Sequence, residues 1–497
     1  MEYFINKNIY TYNSGTEHSQ ANRTILFNRH GHPAKYTTMD YNYYWAKDAE
    51  NLGLKYDEVL NMYDYFQGVS EEKRHKYPVH DYFEQHFKNY QLVDHSPNYF
   101  TITQAGRVLA RINVMPETVG LMGSVQYYDR FENIVRCDNY DYRGFLSSVD
   151  YFHPDGQLSV RKFLDLKGQV ILTKIFMNKD GRLQPTMFKL LNYHGKNYQF
   201  EQEKDLFTFF LNEIANENDG IYSDYRDFDD ILAKIKLVKQ KWVVFHGSHQ
   251  NQKKEFYLNY LPVLQGEVGK ITGIIVATDE QKTYLNQQFS NLNVKVVSDI
   301  AIFNEQLEQK PVWLRDRNEK RIIFSGRLEN DKRPDVTLQA FVGIHQRLST
   351  ATMEFHGYTN NQQLLDDMKK EVRMQNLDSQ VIFGNYLKKD DMNDFYNRGQ
   401  ILLNTSISEA HGMQMIEAMS HGVPVVSFDT WYGIRNLIKN GENGFIVHNL
   451  AEMIEKCVEI LSDNVKWSKM SKAAYQSAEQ FSEDKVWQQY ENEIFKN

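Results

Sequence analysis

Cysteine is scarce in this 497-residue sequence: Cys137 and Cys457 are the only two, and they lie far apart. Two such thiols supply neither a disulfide framework nor a cysteine-based zinc site, and they point to a reducing compartment, the cytoplasm. Long hydrophobic runs are missing as well. No stretch of about 18 apolar residues occurs, so no membrane-spanning helix is expected. The opening Met1-Glu2-Tyr3-Phe4-Ile5-Asn6-Lys7 lacks the basic-then-apolar order of a secretory leader. Without secretion, the glycosylation-like triplet Asn22-Arg23-Thr24 reads as chance. Positive charge is not in excess either. A formal net charge of −8 speaks against a general nucleic-acid binder, while leaving room for a local basic groove.

What is present fits a globular protein, with 41% hydrophobic and 25% charged residues. The chain is too long for one ordinary core, so two or three domains are expected. Residues 1–74 read as the start of an α/β domain, with a short strand near Ile9 and Tyr10, a turn at Gly15, and a helix through Gln20 to Phe27. From 75 to 205 the pattern changes. Asp155-Gly156, Lys167-Gly168 and Asp180-Gly181 are evenly spaced turn signals between strand-like segments Leu158 to Leu164 and Gln169 to Met177, an antiparallel meander. Residues 101–200 carry 13 Lys/Arg and 9 Asp/Glu, a surplus of +4 against −8 overall. That surplus suits either a solvated sheet face or a docking surface for an acidic acceptor or partner. The α/β pattern resumes over 206–315, where strand Lys241 to Phe245 runs into His246-Gly247-Ser248-His249 and strand Ile271 to Ala277 into the cap Thr278. A second α/β domain spans 316–480, and Ser482 to Phe495 within 481–497 reads as a final helix.

The residues with the most chemistry lie in this second domain. Asn404 to Asp429 reads as a polar turn, a helix from Gly412 to Gly422, and a buried strand from Pro424 to Phe428. Unpaired N–H groups and the helix dipole face the turn, which makes it ready for an anion. Glu409 in the turn and Glu417 in the helix stand eight positions apart, one placed for hydroxyls of a sugar and the other for those of a ribose. Upstream, strand Ile322 to Ser325 leads into Gly326-Arg327-Leu328-Glu329-Asn330-Asp331-Lys332. Two cations five apart beside a glycine turn can neutralise a diphosphate.

The string from Glu409 to Glu417 resembles the Glu-x7-Glu signature of retaining glycosyltransferases of family 4, and Gly326 to Lys332 is similar to that family's Gly-Arg-x5-Lys-like element. The resemblance implies the GT-B fold, two Rossmann-like domains facing a cleft, here with an antiparallel β-domain inserted in the first. It implies Arg327, Lys332, Glu409 and His246 as the catalytic set; His246 is preferred over His249 as the histidine near the donor sugar because it directly follows its strand. Gly15, Gly326, Asn385, Tyr386, His411, Gly412, Met413 and Glu417 would bind the donor. Ala410 departs from the glycine many members carry, and Gly15 stands where the family usually has a glycine pair.

With its inserted domain, the chain looks like a narrower group of teichoic-acid N-acetylglucosaminyltransferases and cytosolic adhesin glycosyltransferases. Asn-Ser-Gly-Thr-Glu-His at 13–18 and Asn-Met-Tyr-Asp-Tyr-Phe-Gln-Gly at 61–68 look most like the SdgA/SdgB-type enzymes of serine–aspartate repeats. The resemblance implies UDP-N-acetylglucosamine as donor, an acidic serine–aspartate repeat protein as acceptor, a homo-oligomer, and no metal or other cofactor. Asp227-Phe228-Asp229 is a literal Asp-x-Asp, which metal-dependent transferases of another fold use; among Asp224 and Asp230 it reads as helix-start charge. The alternatives are the same transfer to a polyol-phosphate polymer, a non-catalytic partner subunit, and a GT-B phosphorylase, for which no pyridoxal-binding lysine stands out.

Overall fold

The structure, a computed structural model, describes residues 1–251 and 253–496. Among these, two parallel sheets face each other across a cleft, and an antiparallel sheet is inserted in the first. The first parallel sheet is built from both ends of an interrupted segment. Glu2–Asn6, Ala34–Thr38 and Val59–Asn61 pair with Gly220–Ser223, Gln240–Phe245, Gly273–Val276 and Val294–Val296, and Glu2–Asn6 lies directly beside Gly220–Ser223. These strands read as continuous apolar runs because helices cover both faces; Phe4, Ile5, Val243, Val244 and Ile274 are all buried.

The sequence-based strand at Ile9 and Tyr10 is displaced: the strand is Glu2–Asn6, and residues 9 and 10 belong to the loop after it. The following helix also begins earlier, at Gly15, and runs to Arg29. Ser14 caps it, with the Ser14 backbone N–H donating to Glu17 at 2.7 Å, a reciprocal capping box that satisfies the first unpaired donors.

Between the two parts lies a ten-stranded antiparallel meander from Gln91–Ser96 to Lys196–Phe200, in which every strand pairs with its sequence neighbours. Alternate residues point to one face. In the first half Phe100, Ile102, Ala110, Ile112 and Val125 pack under helix Val79–His86. In the second half Phe163, Leu172, Phe188 and Leu190 pack on helices Met62–Gln67 and Glu203–Ile214. Each such large side chain contributes about 1.5–3 kcal/mol, which anchors the meander to the first sheet.

The second parallel sheet has the order Val381–Gly384, Thr352–His356, Arg321–Ser325, Ile401–Asn404, Val425–Phe428, Gly444–Val447. The order reverses between Arg321–Ser325 and Ile401–Asn404, the strands that carry the Arg327 loop and the Glu409 loop. Ligands bind at such a switch point, outside the carboxyl ends of the strands. Helix Glu483–Tyr490 then returns to the first domain, where Val486, Tyr490 and Ile494 pack against Phe4 and Phe27. No described helix is long and apolar enough to cross a membrane.

Candidate active site

A cleft of about 1140 Å³ separates the C-terminal edges of the two parallel sheets. Its C-terminal wall starts at Gly326, whose φ of +150° suits glycine and whose N–H donates to the His356 carbonyl at 3.1 Å. The crossing is tight: a Cβ on Gly357 would sit 1.9 Å from the Gly326 carbonyl oxygen. Arg327 follows, half-exposed and paired with Asp331 at 2.8 Å. Lys332 reaches across to Glu409 at 2.5 Å. The Lys332 backbone is itself fixed, because Thr405 donates its hydroxyl to the carbonyls of Lys332 and Arg333 at 3.0 and 2.8 Å.

Glu409 also accepts from Ser406 and Gln414, at 2.7 and 3.0 Å. Burial opposes its charge, but the Lys332 ammonium together with these two donors holds its carboxyl below the usual range. Gly412 caps helix Met413–Ser420 at φ +83°, so the helix N-terminus opens toward Lys332 and Glu409. Glu417 lies one turn further in, accepting from the Tyr396 hydroxyl at 2.9 Å, and burial pushes its carboxyl up to about 7. His411 is buried with no hydrogen-bond partner for Nδ1 among the described residues, and burial lowers its pKa.

The N-terminal wall is organised around His246. Its Nε2 lies 2.5 Å from Asp224 and its Nδ1 3.1 Å from Asp299, and Asp224 in turn pairs with the buried Arg23 at 2.5 Å. Burial disfavours the imidazolium, but the two carboxylates outweigh it and raise the pKa to about 9. His249 lies elsewhere. It is stacked on Phe256 and Tyr432, with Nε2 3.1 Å from the Tyr432 hydroxyl, and does not line the cleft.

Gly15 starts its helix at the cleft, with Met413 opposite. Tyr386 bridges the two walls, its hydroxyl 2.7 Å from His18 Nε2 and its ring against Tyr12 and Tyr358. Asn385 does not line the cleft; its carbonyl accepts from His356 Nδ1 at 2.8 Å. The cleft therefore gathers Arg327, Lys332, Glu409, His246, Gly15, Gly326, Tyr386, His411, Gly412, Met413 and Glu417, and leaves out Asn385 and His249. Sequence reasoning missed Asp224, Asp299, His18, Tyr358, Ser406 and Gln414.

Asp227 and Asp229 sit at the helix start expected for them. Asp229 accepts from Ser223 at 2.7 Å, pairs with Arg226 at 3.4 Å, and begins helix Asp229–Lys234. Among the described residues no cluster of three His, Cys, Asp or Glu side chains is arranged to hold a metal ion.

Residues 305–477, which contain the Arg327 and Glu409 loops, match the family described as Glycosyl transferases group 1. The chain carries a glycosyl transferases group 1 domain. Along nearly its whole length it is also similar to the UDP-N-acetylglucosamine–peptide N-acetylglucosaminyltransferase GtfA subunit of Streptococcus gordonii, with 23% identity over 99% of this chain and 98% of that one. A poly(ribitol-phosphate) alpha-N-acetylglucosaminyltransferase of Staphylococcus aureus is 23% identical over 96% of each chain. The fold superposes on the pneumococcal O-GlcNAc transferase GtfA, solved with UDP and GlcNAc, at a TM-score of 0.84 and 18% identity, covering 100% of this chain and 99% of that one. The chain thus has the GT-B fold with an inserted antiparallel sheet.

The basic docking surface read from the inserted sheet is smaller than its sequence suggests. Arg161 is paired with Asp150 at 2.6 Å, Lys174 with Glu203 at 2.8 Å, and Lys162 lies over the Tyr151 ring. Lys167, Lys179 and Arg182, at the turns, are exposed.

Proposed function

We propose that the chain transfers N-acetylglucosamine, with retention of configuration, from UDP-N-acetylglucosamine to serine hydroxyls of a peptide acceptor, an acidic serine–aspartate repeat in particular. The observation that carries this reading is that Arg327, Lys332 and the N-terminus of helix Met413–Ser420 all line one cleft, with Lys332 bound to Glu409 before that helix start and Glu417 within the helix. Three positive ends in one cleft suit a leaving diphosphate, and preorganised charge of this kind is usually the largest single contribution to such a reaction.

In the proposed step the bond from C1 of the sugar to the β-phosphate oxygen breaks. The acceptor oxygen bonds to C1 on the same face, and its proton passes to the departing phosphate oxygen, so no protein nucleophile is needed. Glu409, kept ionised by Lys332, accepts from sugar hydroxyls, and Glu417 from the ribose. No divalent metal is assigned a part. The exposed Lys167, Lys179 and Arg182 receive the acidic acceptor, and the enzyme works as a homo-oligomer in the cytoplasm. The names of the peptide-modifying relatives support a peptide acceptor; the poly(ribitol-phosphate) enzyme, equally similar in identity, supports a polyol-phosphate polymer as the second reading.

The test is intact-mass analysis of a Ser-Asp repeat peptide after incubation with UDP-N-acetylglucosamine, with UDP-glucose, and without donor, beside a parallel assay on poly(ribitol phosphate). Successive gains of one N-acetylhexosamine with the first donor alone are expected. Transfer to the polymer and not to the peptide would replace the acceptor, and a gain of hexose only would replace the sugar.

A further inference from the structure

A second cavity, of about 220 Å³, opens beside the cleft and has no part in the chemistry above. It lies between the loop after strand Glu2–Asn6, the loop after strand Ala34–Thr38, and strand Leu158–Leu164 of the inserted sheet. Both loops leave the same edge of the first sheet from which Gly15 and His246 enter the cleft. The link is short: Asn13, which lines the cleft, donates from Nδ2 to the Tyr10 carbonyl at 2.6 Å and accepts from the Tyr10 N–H at 3.1 Å, and Tyr10 lines the second cavity.

The lining is aromatic and amide-rich. Tyr10 and Tyr43 are 36% and 37% exposed, a large free area for rings that also line a cavity. Arg161 is present but its charge is matched, since both its Nε and Nη2 donate to Asp150, at 2.6 and 2.7 Å, and its guanidinium stacks over Tyr41. Asp48, 2% exposed, takes a long 3.4 Å contact from Asn42 on one oxygen and a side-chain hydrogen bond from Thr11, and its Oδ1 has no hydrogen-bond partner among the described residues. A buried acceptor left open in this way calls for a donor from a ligand.

Anionic ligands do not fit, because the one cation is paired and Asp48 is acidic. A neutral ring with hydroxyls on its rim does. Tyrosine faces take its apolar side, and the Asp48 carboxylate with the Asn42 amide takes its hydroxyls. The volume is below the roughly 300–1,000 Å³ of drug-sized ligand sites and suits a single sugar ring.

We propose that this cavity is a subsite for one neutral pyranose ring carried by the acceptor, so that a sugar already attached to the chain holds it while a neighbouring hydroxyl reacts. The proposal rests on the peptide-acceptor reading for the source of the ring, and on the cavity alone for its chemistry.

The experiment uses the full chain with saturating UDP. Saturation-transfer NMR is run with methyl α-N-acetylglucosaminide, and transfer kinetics with a serine peptide that is either unmodified or already carries one N-acetylglucosamine. The glycoside is expected to bind saturably to the wild type and to Glu409→Gln, and to lose at least tenfold in affinity in Tyr43→Ala and Asp48→Asn. The pre-glycosylated peptide is expected to have a KM at least tenfold below the unmodified one. Tyr43→Ala should erase that difference and leave donor KM and UDP-sugar hydrolysis unchanged. Tyr43 is part-exposed, so this variant tests the idea even if Asp48→Asn does not fold. Equal KM values for the two peptides, or glycoside binding abolished by Glu409→Gln and untouched by Tyr43→Ala, overturns the proposal. If neither peptide is a substrate, the acceptor reading fails by itself, and glycoside binding lost in Tyr43→Ala still assigns the pyranose site; absence of that binding removes it.

Discussion

The two walls of the cleft hold their charges in opposite ways. On the N-terminal wall, Arg23, Asp224, His246 and Asp299 neutralise one another, with side chains 4%, 0%, 9% and 7% exposed. On the C-terminal wall Arg327 is 38% exposed and paired with an Asp331 that is 52% exposed, and Lys332, at 21%, has one partner. A buried, mutually satisfied cluster fixes geometry, and losing one member leaves the others stranded. A half-open cation with a weak surface partner can change partners at small cost. The first wall is therefore built as a frame, and the second has the mobility that the proposed function asks of a clamp on the diphosphate.

The sharpest way to break this comparison is to remove the clamp. Arg327→Ala or Lys332→Ala should cut transfer by roughly two to three orders of magnitude, as the loss of one transition-state donor does. The Arg327 variant should keep its thermal stability within about 1 kcal/mol, since an exposed pair is worth no more. Initial rates beside a melting curve check both, and undiminished rates in the two variants would falsify the clamp.

Removing the frame should do the reverse. Asp224→Ala leaves Arg23 and His246 buried without their shared carboxylate and should cost about 3–5 kcal/mol of stability. The same cluster sets a pH signature. His246 has a folded pKa raised from 6.5 to about 9, so its stabilising contribution is fully present below 6.5 and is lost as the pH rises through 9. Melting temperature measured from pH 6 to 10 should fall across that window in the wild type and more weakly in His246→Gln. A fall of equal size in both would reassign the titration.

A smaller effect concerns Glu417, whose carboxyl is held near 7 by burial. Ribose hydroxyls favour the ionised form, so UDP binding should release a proton and tighten several-fold between pH 6 and 8. Calorimetry in two buffers reads that proton directly. Glu417→Gln should bind more weakly and keep only the pH dependence of the UDP terminal phosphate, which titrates at about 6, and equal pH dependence in the wild type and the variant would detach Glu417 from the ribose. The smallest expected effect is that of chelation: excess EDTA should leave the rate nearly unchanged. Abolition with rescue by manganese would bring Asp227 and Asp229 back into consideration.

The two walls also differed in how far they could be read from sequence. The clamp lies on a short stretch of chain after each of two strands, and Ile322 to Ser325 and Pro424 to Phe428 were placed within a residue because parallel strands appear as compact apolar runs. Of the frame only His246 was legible, as the residue that directly follows its strand; its partners were not. Arg23, Asp224, His246 and Asp299 come from one helix and three separate loops, up to 276 positions apart (Arg23 to Asp299), and a lone charge in sequence carries no sign of a buried partner. The first strand was misplaced for a related reason. Helix Gly15–Arg29 is buried on most of its circumference, with Gln20, Ala21, Arg23 and Thr24 all covered, so it shows no polar stripe to mark its start. The turns of the meander were clear from Gly156, Gly168 and Gly181, all at positive φ, whereas Gly106, Gly120 and Gly144, also at positive φ, sit in less evenly spaced turns that were not read.

The interrupted first sheet has a consequence for how the chain is made. The meander pairs only sequence neighbours, so it can close hairpin by hairpin as it leaves the ribosome. Glu2–Asn6 cannot: its partner Gly220–Ser223 arrives more than 200 residues later, a wait of the order of ten seconds or more at about 5–20 residues per second. Throughout that interval Phe4 and Ile5 lack half their sheet, and the helix that covers Phe4 and Phe27, Glu483–Tyr490, is later still. The first parallel sheet is thus completed only when segments more than 200 residues apart have met, and until then the free side of strand Glu2–Asn6 is an unpaired sheet edge.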